Sequence, residues 1–233
     1  MSDARTRILE ALGAREGLVG DPAPTPLGRP ALPDHEIPRL LALRLRAHGT
    51  ACHLTQDHAQ SIEVLADQLY TAGVRNVVVA NDGILDGLNL AARLAASLTG
   101  VRIHRPGDLH DVAAWERMEV GITACASLWA ETGTMVLDAA SRDGLKVSLL
   151  PRWHVLLGDD AQLFRDAQAW VLSLDEAARS RPRVTLQGPS RTADIEKRLV
   201  LGVHGPARVT AFIAVGKMMD FQNLRHDDHQ GGN

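Results

Sequence analysis

Asn76-Val77-Val78-Val79-Ala80 decides the fold. Three consecutive valines without polar alternation predict a strand buried on both faces, as in a parallel sheet covered by helices on each side. The flanks agree. Upstream, Ile62, Leu65, Ala66 and Leu69 share one helical face, and Gly73 ends the helix. Downstream, Leu88, Ala91, Ala92, Ala95 and Leu98 repeat the stripe as far as Gly100, and Val101 to His104 predicts another strand. Earlier in the chain, Ile37, Leu40, Leu41 and Leu45 predict a helix stopped by Gly49, followed by a short strand from Ala51 to Leu54. This rhythm predicts an α/β domain, a three-layer Rossmann-like open sheet.

Beyond Val112 the pattern changes. Strands are expected at Val120–Thr123, Thr134–Leu137, Val147–Leu150, Val155–Leu157, Val184–Leu186 and Val209–Val215, with a helix from Asp160 to about Ala169. Residues 1–35 are expected to form a separable arm: a short helix over Arg5–Leu12, then an extended linker holding Pro22, Pro24, Pro26, Pro30 and Pro33. The arm either docks onto a partner or stays a mobile tail. The α/β domain is expected over 36–216 and a polar, disordered tail over 217–233. In that tail His226, Asp227, Asp228 and His229 either chelate a metal or are simply solvated; no metal site is assigned.

Composition removes several function classes. A formal net charge of −3 argues against a nucleic-acid coat or a polybasic membrane surface. Aromatic residues make up 3 %, too few for a base-stacking platform. No apolar run reaches the roughly 20 residues of a membrane-spanning helix, and Met1–Glu10 lacks the apolar core of a secretory signal. The two cysteines, Cys52 and Cys125, form no Cys-x-x-Cys, so this chain is expected to carry no iron–sulfur cluster and no other cofactor, and to reside in a reducing cytoplasm. There is no Gly-x-Gly-x-x-Gly fingerprint and no P-loop.

Three segments could carry chemistry. In Ala130-Glu131-Thr132-Gly133-Thr134 a carboxylate is followed by small residues that let a backbone approach a ligand. Glu131 there is either a nucleophile or base, or the solvent-facing member of a tight turn. In Gln187-Gly188-Pro189-Ser190-Arg191-Thr192-Ala193-Asp194-Ile195-Glu196 a turn after a strand presents hydroxyls, N–H groups and a guanidinium. The segment either holds a carboxylate or phosphate, or begins a capped helix with Arg191 paired to Asp194 or Glu196. In Leu201-Gly202-Val203-His204-Gly205-Pro206, His204 sits in a turn, either binding a ligand or shuttling protons, or bonded to the backbone. Asp82 follows the valine strand at the carboxyl end, where open sheets bind ligands, and is either a ligand residue or a helix cap. His154 reads as a satisfied, half-buried histidine. Glu131, Ser190, Arg191, Thr192 and His204 are expected to line one concave site.

These segments carry a resemblance. Val120-Gly121-Ile122-Thr123, Ala130 to Thr134, Leu149-Leu150-Pro151, Gly188 to Glu196 and Leu199 to Pro206 occur in that order and resemble the signature blocks of the lactate-utilisation protein C family, which carries the LUD domain. The resemblance covers roughly Glu36 to Val215. It implies a fold like that of glucosamine-6-phosphate deaminase, ribose-5-phosphate isomerase and the CoA transferases. It also implies a part in oxidising L-lactate to pyruvate beside separate iron–sulfur partner proteins. Two further functions stay open: a self-sufficient transferase-like or isomerase-like enzyme using Glu131, and a small-anion-binding or interaction module without chemistry. The family supplies no catalytic residues. Cys125 stands where its pattern has a small residue.

Overall fold

A computed structural model describes residues 32–138, 142–193, 199–201, 205–216 and 218–219; side chains are described for these except at 142–144, 191–193 and 199–201. Residues 1–31 of the expected arm, nearly all of the expected tail (217 and 220–233), and His204 lie outside the described residues. The chain runs α1 (Ile37–Ala47), β1 (Ala51–Thr55), α2 (His58–Thr71), β2 (Asn76–Val79), α3 (Gly83–Gly87), α4 (Leu90–Ser97), β3 (Arg102–His104), α5 (Val112–Glu116) and β4 (Val120–Ala124). It continues with β5 (Ser127–Trp129), β6 (Thr134–Asp138), α6 (Arg142–Leu149), β7 (Trp153–Asp159), β8 (Leu163–Phe164), α7 (Ala167–Ser173) and α8 (Glu176–Arg179). The last elements are β9 (Arg183–Leu186), β10 (Arg191–Ala193), β11 (Leu199–Leu201) and β12 (Arg208–Ala214).

Six parallel strands form the central sheet in the order β1-β12-β7-β4-β2-β3, flanked by helices. Val77, Val78 and Val79 are all fully buried, as a strand covered on both faces requires. One face packs Ile62, Leu65 and Leu69 of α2 and Leu90 and Leu94 of α4 against Val77, Ile122, Val155 and Phe212. Burying each such side chain stabilises the fold by roughly 1.5–3 kcal/mol. After β3 the chain returns to the other side of β2 to lay down β4, so the strand order reverses between β2 and β4. A second sheet, β8-β5-β6-β9, grows from the carboxyl ends of β4 and β7, and β10 and β11 pair as an antiparallel ribbon.

Four local expectations need correcting. The strand expected over Val147–Leu150 is the last turn of α6. Its apolar residues alternate, but Leu149 and Leu150 are 43 % and 54 % exposed, and only Val147 and Ser148 face inward. The helix sits where it does because Gly121 has no side chain: a Cβ there would lie 1.9 Å from the Val147 carbonyl oxygen. The helix expected from Asp160 begins instead at Ala167. Asp159 accepts from the Ala161 N–H and closes a short 3₁₀ turn, and Asp166 caps α7 by accepting from Ala169. The stripe from Leu88 to Leu98 is interrupted at Asn89, which adopts φ 51° and separates α3 from α4. Residues 191–193 are strand, not the first turn of a helix, with Arg191 opposite Leu201 and Thr192 opposite Val200.

Candidate functional site

Two ends of the central sheet carry polar constellations, and the expected site residues divide between them. The Glu131 segment is the turn joining β5 to β6. Its backbone is stitched to the strand beside it: Ala130 N–H donates to Phe164 O at 3.0 Å and Glu131 N–H to Arg165 O at 2.9 Å. The Glu131 carboxylate accepts from Arg165 Nε at 3.0 Å, with both side chains largely covered. To attack a ligand as nucleophile or base, Glu131 must therefore turn from Arg165. Thr132 and Thr134 share a hydroxyl–hydroxyl bond of 2.7 Å.

Gly133 explains why this turn lies where it does. Its φ is +64°, and a Cβ would fall 2.7 Å from Arg44 Cβ, so only glycine lets the turn seat on α1. The C-cap residue of α1, His48, completes the contact: its Nε2 donates to Thr132 O at 3.1 Å. A carbonyl only accepts, so this fixes the proton on Nε2. Gln187 donates from Nε2 to Thr134 Oγ1 at 3.2 Å and to Thr132 O at 3.4 Å, while its own carbonyl accepts from Thr50 Oγ1. Gly188 follows, with a Cβ position 2.4 Å from His48 O. Ser190 N–H then donates to Pro206 O at 3.0 Å, and the Gly205 Cβ position is 3.2 Å from Ser190 Cβ.

So the Gln187 side chain links 131–134 to the second segment, and a backbone bond from Ser190 to Pro206 links that segment to the third. They do so beside His48 and Pro206, just ahead of Ala51 and Arg208, at the amino ends of β1 and β12. The side chains of Arg191 and Thr192, like His204, lie outside the described residues. His48, Gln187 and Arg165 were given no role of their own in the sequence; all three are polar residues immediately past a helix or strand end, which is the available signal.

Asp82 is at the opposite, carboxyl end. It caps α3 by accepting from Ile84 N–H at 2.8 Å. It also lines a cleft of about 350 Å³ with Thr123, Cys125 and Asp138, between the ends of β2 and β4, where the strand order reverses. A second cleft of about 380 Å³ opens at the ends of β1, β7 and β12. There His58 Nε2 lies 3.1 Å from Asp159 Oδ2, beside Asp57 and Asp160. The rule that selected Asp82, a polar residue just past a strand end, also selects Asp57 and Asp159, which the sequence reading passed over.

Buried titratable groups lie between the two ends. His154 is fully buried, not half-buried; its Nε2 bonds Thr123 Oγ1 at 2.8 Å and its Nδ1 has no partner among the described residues. Burial pushes its pKa down to about 4, so the ring is neutral at pH 7. Burial pushes the Cys52 thiol up to about 12 and the Cys125 thiol well above its ordinary value, the latter helped by Asp159. Both are protonated thiols, not thiolate ligands.

The architecture defines a class: an open parallel α/β sheet with a smaller mixed sheet grown from its carboxyl end. A solved DUF162 family protein from Deinococcus radiodurans shares this fold, with TM-score 0.58 and 23 % identity over 79 % of this chain and 99 % of that one. The LUD domain profile matches residues 113–214. The chain is 31 % identical over 173 residues to "Lactate utilization protein C" of Anoxybacillus flavithermus, covering 72 % of this chain and 78 % of that protein. The protein of the same name from Halalkalibacterium halodurans is 34 % identical over 139 residues, which span 58 % of this chain and 60 % of the relative. The Escherichia coli "Uncharacterized protein YkgG" is 27 % identical over 70 % of this chain and 73 % of its own length. The chain belongs to the lactate utilization protein C family of LUD-domain proteins.

Proposed function

We propose that this chain is a component of a cytoplasmic L-lactate utilisation system and acts where lactate is oxidised to pyruvate. The single observation that carries this reading is the extended similarity to relatives named for lactate utilisation, spanning more than two thirds of both chains in the Anoxybacillus flavithermus comparison. The oxidation releases two electrons and two protons. In this reading the electrons pass to iron–sulfur clusters held by partner subunits, and this chain supplies a surface for the small carboxylic acid. Two buried, protonated thiols, Cys52 on β1 and Cys125 just past β4, suit that division of labour, because a cluster needs thiolates gathered at one place. Among the described residues, no helix is long and apolar enough to cross a membrane.

Deletion of the gene in the organism that carries it tests the reading. Growth on L-lactate as sole carbon source should be lost while growth on pyruvate persists, and affinity purification of the tagged chain from lactate-grown cells should recover iron-containing partners. Unimpaired growth of the deletion strain on lactate overturns the assignment.

A further inference from the structure

β1 is the edge strand of the central sheet, and two arginines and a neutral histidine stand along it with, among the described residues, no carboxylate paired to them. His53, in the middle of β1, stacks on Phe212 of β12, with ring centroids 4.8 Å apart and 15° between the planes. Its Nε2 lies 3.0 Å from Gln68 Nε2 of α2. Gln68 Oε1 in turn accepts from Arg208 Nη2 at 3.5 Å. That arrangement makes Gln68 Nε2 the donor and His53 Nε2 the acceptor, so the imidazole is neutral with its proton on Nδ1. Arg208, the first residue of β12, lays its guanidinium 3.6 Å over the Trp153 ring, which fixes the plane of its fork. Arg46, in the last turn of α1, donates from Nη2 to Cys52 O at 2.9 Å.

Every hydrogen bond these three side chains make goes to a neutral group, and among the described residues no acid pairs with any of them. The consequence is visible in His53: burial first, then the charges of Arg46 and Arg208, hold its pKa below the ordinary value. Arg46 from α1 and Arg208 from β12 are the charged groups acting on it, and α2 offers it only the neutral Gln68. An arginine has five N–H donors, and each of these two uses one in the bonds described. The clefts at the carboxyl ends are the reverse case, lined by Asp57, Asp82, Asp138, Asp159 and Asp160.

We propose that Arg46, His53 and Arg208 form a binding site for the carboxylate of a small organic acid on the edge of β1. The site deepens the lactate-utilisation reading, on which it rests only for the choice of carboxylate as the oxyanion. The carboxylate takes the open edges of the two guanidinium forks and the His53 Nδ1–H. Its negative charge cancels the repulsion on His53, so binding raises the imidazole pKa, and affinity rises as pH falls through that pKa.

The full chain, titrated with sodium pyruvate at low ionic strength, tests this through the His53 imidazole resonances. Inorganic phosphate forms a second arm and sodium chloride at matched ionic strength a control. A saturable shift with pyruvate, a higher His53 pKa in its presence, and about tenfold weaker binding in Arg46→Gln and in Arg208→Gln support the site. Arg46 covers no aromatic ring, so its variant reads the charge even if Arg208→Gln loosens the Trp153 packing. Equal shifts with chloride, or unchanged affinity in Arg46→Gln, overturn the proposal. Saturable phosphate binding without pyruvate binding overturns the carboxylate assignment. Pyruvate binding in a protein whose deletion leaves growth on lactate intact upholds the site and removes the lactate-system reading instead.

Discussion

The two ends of the central sheet are built from opposite materials. At the amino end, Arg75, Arg152 and Arg208 stand at or just before strand starts and Arg46 in the last turn of α1. The Glu119 carboxylate there is taken up by the backbone N–H groups of Arg75 and Asn76, glycines bring backbones into contact, and the three signature segments meet side by side. At the carboxyl end, Asp57, Asp82, Asp159 and Asp160 follow the strand ends, and the loops leave open clefts. A formal net charge of −3 conceals this polarity, because the two sets largely cancel in the sum. Where an anion settles depends on the local field and not on the total. Open α/β sheets ordinarily take ligands at the carboxyl end, where in this protein the clefts are lined by Asp57, Asp82, Asp138, Asp159 and Asp160.

Packing differs between the ends as sharply as charge, and two glycine substitutions expose it. Gly133→Ala places a side chain in a left-handed backbone and against Arg44. Conformational strain of about 1–2 kcal/mol and overpacking of about 1–3 kcal/mol should together lower stability by roughly 2–5 kcal/mol in urea unfolding. Gly83→Ala, at the mouth of the carboxyl-end cleft, meets nothing within 4 Å. It should leave stability unchanged or raise it by up to about 1 kcal/mol. Equal losses at both positions would show that the ends are packed alike.

His154, fully buried on the interior strand β7, sets an acid limit on the fold. Its folded-state pKa is held down to about 4, below the ordinary histidine value near 6.5. The unfolded chain therefore binds the extra proton first. The contribution to stability is complete above the unfolded value and is lost as pH falls from about 6.5 to about 4, by an amount on the order of 3 kcal/mol at most. His154→Gln should flatten the dependence of the urea midpoint on pH in that window. A slope identical to that of the unsubstituted protein would assign the acid sensitivity to other groups.

Much of the sheet is legible in the sequence because burial there leaves a plain pattern. The valine run of β2 can only be satisfied by cover on both faces, and Gly49 and Gly73 mark helix ends where left-handed backbone is needed. α6 was illegible for a tertiary reason: the space left by Gly121, 26 residues before Val147, admits a helix where the local pattern alternates. The smaller, mixed sheet was half visible, with β6 and β9 expected and the short β5 and β8 missed, because two or three residues carry too little periodicity. For the site, the sequence supplied the segments but not their neighbours. Nothing local connects Thr132 with His48, or His53 with Arg208, since those contacts exist only once β1 and β12 pair. Asp82 was legible by position alone, whereas the charge of its surroundings depends on Asp138, which a separate strand delivers.

A backbone amide shift map of the full chain during titration with sodium pyruvate compares the two ends in one measurement. The account predicts saturable perturbations around Arg46, His53 and Arg208, with the loops at 80–84 and 124–126 unmoved. Saturable perturbations centred on Asp82 and Thr123, with the β1 edge silent, would contradict it.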